Sequence, residues 1–183
     1  MGKKIIHFAH ANGFPAGTYT RLFALLKPSL EIRFINRHGH DPRYPVTDGW
    51  MGLKDELRDA IVKDFTQPVI GVGHSLGGIL HLLVCVDNPE LYERIILLDA
   101  PIISRFSSGG IRVLKTLRLM DRLSSARMTK SRRSLWASKA EALEHFQAKP
   151  KFAAFDSEVL NDYIEYGTIQ TSEGVRLFFD PRV

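Results

Sequence analysis

The sequence has few of the features that mark a secreted or membrane-spanning protein. It holds a single cysteine, Cys85, so no disulfide can form within the chain. No apolar run approaches the roughly 18 residues that indicate a membrane span. The apolar patch after Met1 is also too short for a secretory signal. We therefore expect a cytoplasmic protein with no membrane partner.

Composition indicates one globular domain, with room for an insertion. Of the 183 residues, 44% are hydrophobic and 25% are charged, and a core of that size needs neither a disulfide nor a structural metal. The net charge of +5 arises largely within residues 105–133, where the only acid is Asp121. Such a patch could attract nucleic acid, an anionic membrane or an acidic substrate. We favour a solvated helix face and expect no nucleic-acid partner.

Four short runs of β-branched and apolar residues predict strands at 4–8, 32–35, 69–72 and 95–98. Each run is followed by turn-forming or small residues and then by a helical pattern. Strands that alternate with helices predict a parallel sheet built from βαβ units. The helix after the third run begins near Ser75 and is apolar nearly all round, as expected of a helix packed centrally on a sheet.

The pattern changes after Pro101. Apolar residues mixed with arginines predict an amphipathic helix over 111–120, and further helical stretches lie near 133–146 and 157–166. No segment in between resembles a strand until 175–179. We therefore divide the chain into an α/β core at 1–100, a mainly helical part at 101–172, and the start of a return to the core at 173–183.

The segment Gly73-His74-Ser75-Leu76-Gly77 fits the pattern G-x-S-x-G. This pattern places a nucleophilic serine on a sharp turn between a strand and a helix, which is the predicted setting here. Glycines are needed two residues to either side because the strained turn leaves no room for side chains. The alternatives are a turn that binds phosphate and a purely structural turn. We interpret Ser75 as a catalytic nucleophile.

A second glycine-containing loop, at residues 10–15, follows the first predicted strand at its carboxyl end. Such a loop can supply one backbone N–H of an oxyanion hole, and the N–H of Leu76 can supply the other. We expect Phe14 or Ala11 to be the donor from the loop; the alternative is an ordinary glycine turn. The predicted oxyanion and substrate-binding residues are Leu76, Phe14, Ala11, Asn12, Gly13, His10 and His74.

These segments together resemble the α/β-hydrolase superfamily, beginning at that family's third strand. The 10–15 loop is similar to its His-Gly-Phe-Pro oxyanion loop with two residues inserted, 36–40 to its Arg-Gly-His-Gly loop, and 73–77 to its nucleophile elbow. The resemblance implies a three-layer α/β/α fold with a parallel sheet of chain strand order 2-1-3-4. It also implies a helical cap after 95–100 and no cofactor or metal. The oxyanion loop and the elbow would then lie side by side, at the switch point where open α/β sheets bind ligands.

A histidine base for the serine is the feature that the sequence lacks. The family order is serine, acid, histidine, and nothing after Ser75 resembles its Gly-Gly-His loop. His145 is a candidate base, whereas we interpret His81 as a core or cap-contact residue on the helix that Ser75 begins. Asp99, at the end of the fourth predicted strand, is the candidate acid, with a capping aspartate as the alternative. Three upstream histidines are interpreted as partners that shape their loops: His10, His38 and His40.

Two explanations cover the missing histidine. The chain is either a piece of a longer hydrolase, which we favour, or a complete protein that has lost hydrolysis or borrows a histidine from a partner. We expect an esterase-type hydrolase of a small carboxylic ester, thioester or related carbonyl compound. Carbon–carbon bond hydrolases and cofactor-free haloperoxidases also use serine and stay open.

Two functions outside hydrolysis also stay open. One is a non-catalytic binding protein with a hydrolase-like pocket, forming a homodimer through the open edge of its sheet. The other is nucleic-acid binding through residues 105–133, which has only charge in its favour.

Overall fold

A computed structural model of the protein describes residues 4–100 and 133–180. In the first range, strands alternate with helices: β1 (Lys4–Ala9), α1 (Thr20–Leu26), β2 (Leu30–Phe34), α2 (Met51–Asp64), β3 (Val69–His74), α3 (Leu76–Asp87) and β4 (Tyr92–Leu98). Short 3-10 helices lie at Ala16–Tyr19, Asp48–Trp50 and Pro89–Leu91. The predicted helix at 111–120 and nearly all of the basic segment at 105–133 lie outside the described residues.

The four strands form a parallel sheet in the order β2-β1-β3-β4. Side chains alternate across β1, so Ile6 and Phe8 pack with Phe23 of α1 on one face. Ala9 packs on the other face, with apolar residues of α2 and α3. The predicted fold class and strand order are confirmed. β2 and β4 are the outer strands of the described sheet, and the predicted dimer through this open edge stays a prediction.

The register of the strands brings three loops to one edge of the sheet. Ala9 pairs with Gly73, and His74 pairs with Leu98. Because all strands run in the same direction, the residues that follow β1, β3 and β4 emerge together. The 10–15 loop, Ser75 and Asp99 therefore share the carboxyl edge of the sheet.

Residues 133–180, called the C-terminal region below, combine helices with a small antiparallel sheet. Its elements are β5 (Leu135–Trp136), α4 (Lys139–Gln147), α5 (Pro150–Ala153), α6 (Ser157–Gly167), β6 (Thr168–Thr171) and β7 (Gly174–Leu177), with strand order β5-β7-β6. The predicted helices near 133–146 and 157–166 are present, but the first begins only at Lys139. The expectation of no strand before 175–179 is wrong, since β5 and β6 precede it.

The missed strands are at or below the shortest length that gives a periodic signal. β5 has two residues and β6 has four, whereas alternation becomes readable over about four to eight residues. The start of α4, by contrast, was marked in the sequence. The Ser138 side chain accepts the N–H of Glu141 at 3.2 Å, and serine followed three residues later by glutamate is the pattern of a capping box.

The core of the C-terminal region is aromatic. Its buried cluster comprises Trp136, Ala142, Phe146, Phe152, Leu160, Tyr163, Ile164, Leu177 and Phe179. Phe14 of the 10–15 loop packs against it, with ring centroids 5.0 Å from Tyr163 and 6.0 Å from Phe152. The C-terminal region is thereby joined to the carboxyl edge of the parallel sheet. Across the two described ranges, every helix is too short or too polar to cross a membrane.

Candidate active site

Ser75 alone connects strand β3 to helix α3. Its backbone dihedral angles are φ 49° and ψ −113°, a conformation that a residue with a side chain adopts at a cost of about 1–3 kcal/mol. Its N–H donates to the carbonyl oxygen of Leu98 at 2.9 Å, which ties the turn to the end of β4. The side chain is partly exposed. The turn therefore presents a hydroxyl at the carboxyl edge of the sheet, as predicted.

The glycines beside Ser75 are required by close backbone packing. A Cβ on Gly73 would lie 2.3 Å from the nitrogen of Gly78, and one on Gly77 would lie 2.1 Å from the carbonyl oxygen of Ala9. Both distances are far inside van der Waals contact. The prediction that no side chain fits at the position two residues before Ser75 or at the position two residues after it is confirmed. The approach of Gly77 to Ala9 also places the 10–15 loop directly beside the turn.

The two predicted N–H donors of the 10–15 loop have partners within the protein. The N–H of Ala11 donates to Tyr19 Oη at 3.2 Å, and the N–H of Phe14 donates to the Ala11 carbonyl oxygen at 3.1 Å. Gly13, at φ 77°, makes that turn possible. A narrow cleft runs along this loop to the start of α3, lined by His10, Asn12, Gly13, Phe14, Pro15, His38, His40, Leu76, Phe179 and Asp180.

His10 is held in one neutral tautomer. Its Nε2 lies 2.9 Å from the backbone N–H of His38 and accepts from it. Its Nδ1 therefore carries the proton and donates to the Ala11 carbonyl oxygen at 2.9 Å. Burial lowers the pKa of His10 to about 3. This histidine joins the loops that follow β1 and β2, in line with the prediction that it shapes its loop.

The loop after β2 is anchored by a buried carboxylate and by the end of the described chain. Glu56 of α2 accepts the N–H of Gly39 at 2.9 Å and lies 3.7 Å from His38 Nδ1. His40 Nδ1 donates to the His38 carbonyl oxygen at 2.9 Å, and its Nε2 accepts the N–H of Asp180 at 2.9 Å. The predicted loop-shaping role of His40 agrees with these contacts, whereas the ring nitrogens of His38 are buried without a hydrogen-bond partner among the described residues.

Arg37 makes a second link to the C-terminal region. Its Nη1 donates to the carbonyl oxygen of Phe178 at 2.7 Å. Its guanidinium lies 4.0 Å from the centre of the Phe178 ring, which is within the range of a cation–π contact. The residues that follow β7 are therefore fixed against the loop after β2.

The candidate acid and base do not meet at Ser75 within the described residues. Asp99 follows β4 with a positive φ of 46°, and its charge raises the pKa of His74 while burial, the larger cause, lowers it. His145 lies in the last turn of α4, where its ring contacts Trp136 at a centroid distance of 5.5 Å. Neither side chain hydrogen-bonds to Ser75 in the ranges 4–100 and 133–180.

His81 is a core residue, as expected. It is fully buried, and its Nδ1 lies 3.0 Å from Tyr92 Oη. Burial lowers the pKa of His81 to about 3. Its ring stands edge-on to that of His7 at 5.5 Å, on the face of the sheet that α2 and α3 cover.

The model of the Alpha/beta hydrolase family matches residues 8–177. The chain belongs to this family. Among curated relatives, mouse monoglyceride lipase is 27% identical over 127 residues, which are 65% of this chain and 42% of that protein. The abhydrolase domain-containing protein AKT2 of Alternaria alternata is 31% identical over 111 residues, covering 61% of this chain and 37% of that protein.

Solved structures of alpha/beta hydrolases share the fold of this chain. E-2-(acetamidomethylene)succinate hydrolase superposes with a TM-score of 0.72 at 16% identity, covering 100% of this chain and 63% of its own. An esterase of M. tuberculosis gives 0.70 at 18% identity, covering 100% and 61%. The chain thus spans less than two thirds of these hydrolases.

Two residues of the site, Tyr19 and Glu56, escaped the sequence analysis. Tyr19 Oη contacts both Ala11 and His74, and Glu56 holds Gly39 from a helix 17 residues further along the chain. No local pattern marks either residue, since each is selected by contacts between separate elements. No cluster of three or more metal-ligating side chains lies within residues 4–100 or 133–180.

Proposed function

We propose that this alpha/beta hydrolase is a serine hydrolase in which Ser75 attacks the carbonyl carbon of a carboxylic ester, a thioester or a related compound. The observation that carries the proposal is the strained Ser75 turn between β3 and α3. Such strain persists only where the surrounding structure enforces it, and it clusters at active sites. Esters are favoured within this class because mouse monoglyceride lipase is among the relatives.

Attack by Ser75 creates a negatively charged oxygen that needs hydrogen-bond donors. Leu76 is the first residue of α3, and the first N–H groups of a helix have no partner within the helix. The partial positive charge of the helix N-terminus also stabilises a negatively charged oxygen at this position. We assign Leu76 N–H as one donor and the 10–15 loop as the source of the second. Ala11 or Phe14 must then exchange its present partner for the substrate oxygen.

A base must remove the proton of Ser75 for turnover. His145 is the first candidate to test, because it follows Ser75 in the chain as the family order requires, and ring nitrogens of His10, His40, His74 and His81 already make hydrogen bonds within the protein. His38 is the second candidate, because it lines the cleft and neither of its ring nitrogens has a hydrogen-bond partner within the described residues. The C-terminal region that carries His145 acts as the cap in this proposal. A histidine from a second copy, or from residues outside this chain, is the alternative source.

The test is the intact mass of the folded protein after treatment with a fluorophosphonate probe. A single adduct, absent in Ser75→Ala, would support an activated serine, and a lower labelling rate in His145→Gln would support His145 as its base. Ser157→Ala is the matched control, because this serine begins α6 and makes no described hydrogen bond through its hydroxyl. No adduct on folded wild-type protein would overturn the proposal.

A second candidate function is a non-catalytic binding protein with a hydrolase-like pocket. It is favoured by one observation: no described histidine hydrogen-bonds to Ser75. In this case an ester analogue would bind with equal affinity to the wild type and to Ser75→Ala, and no ester would be turned over.

A further inference from the structure

The hydroxyl of Tyr19 lies between the two loops that form the proposed site. Tyr19 Oη is 3.2 Å from the backbone nitrogen of Ala11 and 2.7 Å from Nδ1 of His74. Ala11 belongs to the 10–15 loop, and His74 immediately precedes Ser75. One oxygen atom therefore bridges the loop and the turn.

The directions of these hydrogen bonds follow from the number of protons. The Ala11 N–H can only donate, so Tyr19 Oη accepts from it. The single hydroxyl proton is then available for His74 Nδ1, and we assign Nδ1 as its acceptor. Neutral histidine carries its proton on one nitrogen only, so this arrangement selects the tautomer of His74 that is protonated on Nε2.

The surroundings keep both partners in these states. The Tyr19 ring packs on Phe8 at a centroid distance of 4.7 Å and stands edge-on to His74 at 5.9 Å. Burial raises the pKa of Tyr19 above its ordinary value, so the hydroxyl keeps its proton. Burial also lowers the pKa of His74, against the charge of Asp99.

The C-terminal region helps to set the position of Tyr19. Tyr19 ends the 3-10 helix Ala16–Tyr19, and α6 packs closely against this helix. A Cβ on Gly17 would lie 2.8 Å from the Cβ of Tyr166, so only glycine allows so close an approach. The Tyr19 ring is therefore held by packing on β1, and the 3-10 helix that carries it is held by α6.

We propose that Tyr19 is a positioning residue of the Ser75 site. It fixes the 10–15 loop against the Ser75 turn by accepting the Ala11 N–H, which leaves Phe14 as the oxyanion donor from the loop. It also holds His74 as the tautomer protonated on Nε2. This inference rests on the proposed function of Ser75, although the tautomer of His74 is observable without any catalysis. Tyr19 itself touches no reacting atom.

A second tyrosine–histidine pair in the same protein provides a matched control. Tyr92 Oη lies 3.0 Å from His81 Nδ1, and His81 is on α3, the helix that follows Ser75. This pair has the same chemistry and is also largely buried, but it lies between β4 and α3 and does not contact the 10–15 loop. Tyr92→Phe therefore removes an equivalent hydrogen bond without touching the proposed bridge.

The experiment compares wild type, Tyr19→Phe and Tyr92→Phe. Imidazole ¹⁵N chemical shifts, with His74 assigned through His74→Gln, report the tautomer, and fluorophosphonate labelling of Ser75 reports the site. We expect Tyr19→Phe to convert His74 to a mixture of tautomers and to slow labelling about tenfold to a hundredfold, because the loop is misplaced. Tyr92→Phe should change the His81 signals and leave the labelling rate unchanged.

Each outcome decides the proposal. An unchanged His74 tautomer in Tyr19→Phe would overturn it, as would equal slowing of labelling in both variants, which would indicate general destabilisation. If wild-type Ser75 is not labelled, the proposed function fails. The His74 tautomer in Tyr19→Phe then tests the hydrogen-bond bridge independently of the proposed function.

Discussion

The two described regions of the molecule have different interiors. Residues 4–100 bury seven polar or charged side chains: His7, His10, Thr18, His38, Lys54, Glu56 and His81. The C-terminal region buries only Thr168 in this class, and its core consists of aromatic and aliphatic side chains. Buried polar side chains are thus concentrated in residues 4–100.

This difference corresponds to what each region does. A buried polar group costs free energy unless it is hydrogen-bonded, and several of those in residues 4–100 make hydrogen bonds that hold loops. His10, Thr18 and Glu56 hold the chain after β1 and β2 in this way. The core of the C-terminal region is mainly aromatic, although it buries Trp136 Nε1 without a hydrogen-bond partner among the described residues, and Phe14 packs against it. We infer that residues 4–100 give up stability for the positions of their loops.

Acidification should cause the largest loss of stability, because the buried histidines of the described chain lie in residues 4–100. Burial lowers the pKa of His10 and His81 to about 3 and that of His7 well below its ordinary value. Below about pH 6.5 the unfolded chain therefore binds protons that the folded protein does not, so stability is complete above that pH and falls as the pH decreases. Each histidine contributes about 1.4 kcal/mol per pH unit, which gives a loss of about 4 kcal/mol for His10 and His81 together at pH 5, with a further loss from His7.

Urea unfolding at pH 7, 6 and 5 measures this loss. His81→Leu should reduce the dependence on pH by about one third, because one of three titrating groups is removed. His145→Gln is the matched control, since this histidine is only partly buried in the C-terminal region and should change the dependence much less. Equal stability at pH 7 and pH 5 would show that the buried histidines do not stay neutral.

The secondary structure of residues 4–100 was easier to predict than that of the C-terminal region. Its strands are runs of β-branched and apolar residues that are long enough to recognise, and the predicted segments at 4–8 and 69–72 lie wholly within β1 and β3. A parallel sheet covered on both faces gives such continuous apolar runs. In the C-terminal region, β5 and β6 are short pieces beside helices, and the pairing of Trp136 with Val175 has no local signal.

In the candidate site, the turn was predictable from the sequence but the side chains that hold it were not. The turn at Ser75 was predicted because its steric demands select glycine at Gly73 and Gly77, and that selection is visible in the sequence. The partners that hold the turn were not predicted. Tyr19 and His74 are 55 residues apart, and neither residue type indicates the other. Contacts between distant side chains become visible only once the fold has brought the elements together.

Removal of an aromatic side chain should have the next largest effect. Phe146 is 1% exposed and contacts Trp136, Phe152 and Tyr163. Phe146→Ala should lower the free energy of unfolding by about 4 kcal/mol, because it removes apolar contacts and leaves a cavity. Urea unfolding at pH 7 measures the change.

Phe34→Ala is the control for this substitution, since Phe34 is 42% exposed and the same chemical change should cost much less. The pH dependence of stability should be nearly the same in Phe146→Ala as in the wild type, because the only histidine that packs on Phe146 in the described residues, His145, is partly buried rather than fully buried. Equal losses in the two variants would contradict the assignment of Phe146 to the core. A changed pH dependence would show that the two interiors are coupled.

The smallest expected effect concerns the local start of α4. Ser138→Ala removes the side chain that accepts the N–H of Glu141, and loss of such a cap costs about 1 kcal/mol. Glu141 still accepts the N–H of Ala137 at 2.6 Å, so the helix keeps its second capping contact. Ser157→Ala should leave stability nearly unchanged, because the cap of α6 is Asp156. If Ser138→Ala proved as costly as Phe146→Ala, the stability of the C-terminal region would depend on its helix ends rather than on its aromatic core.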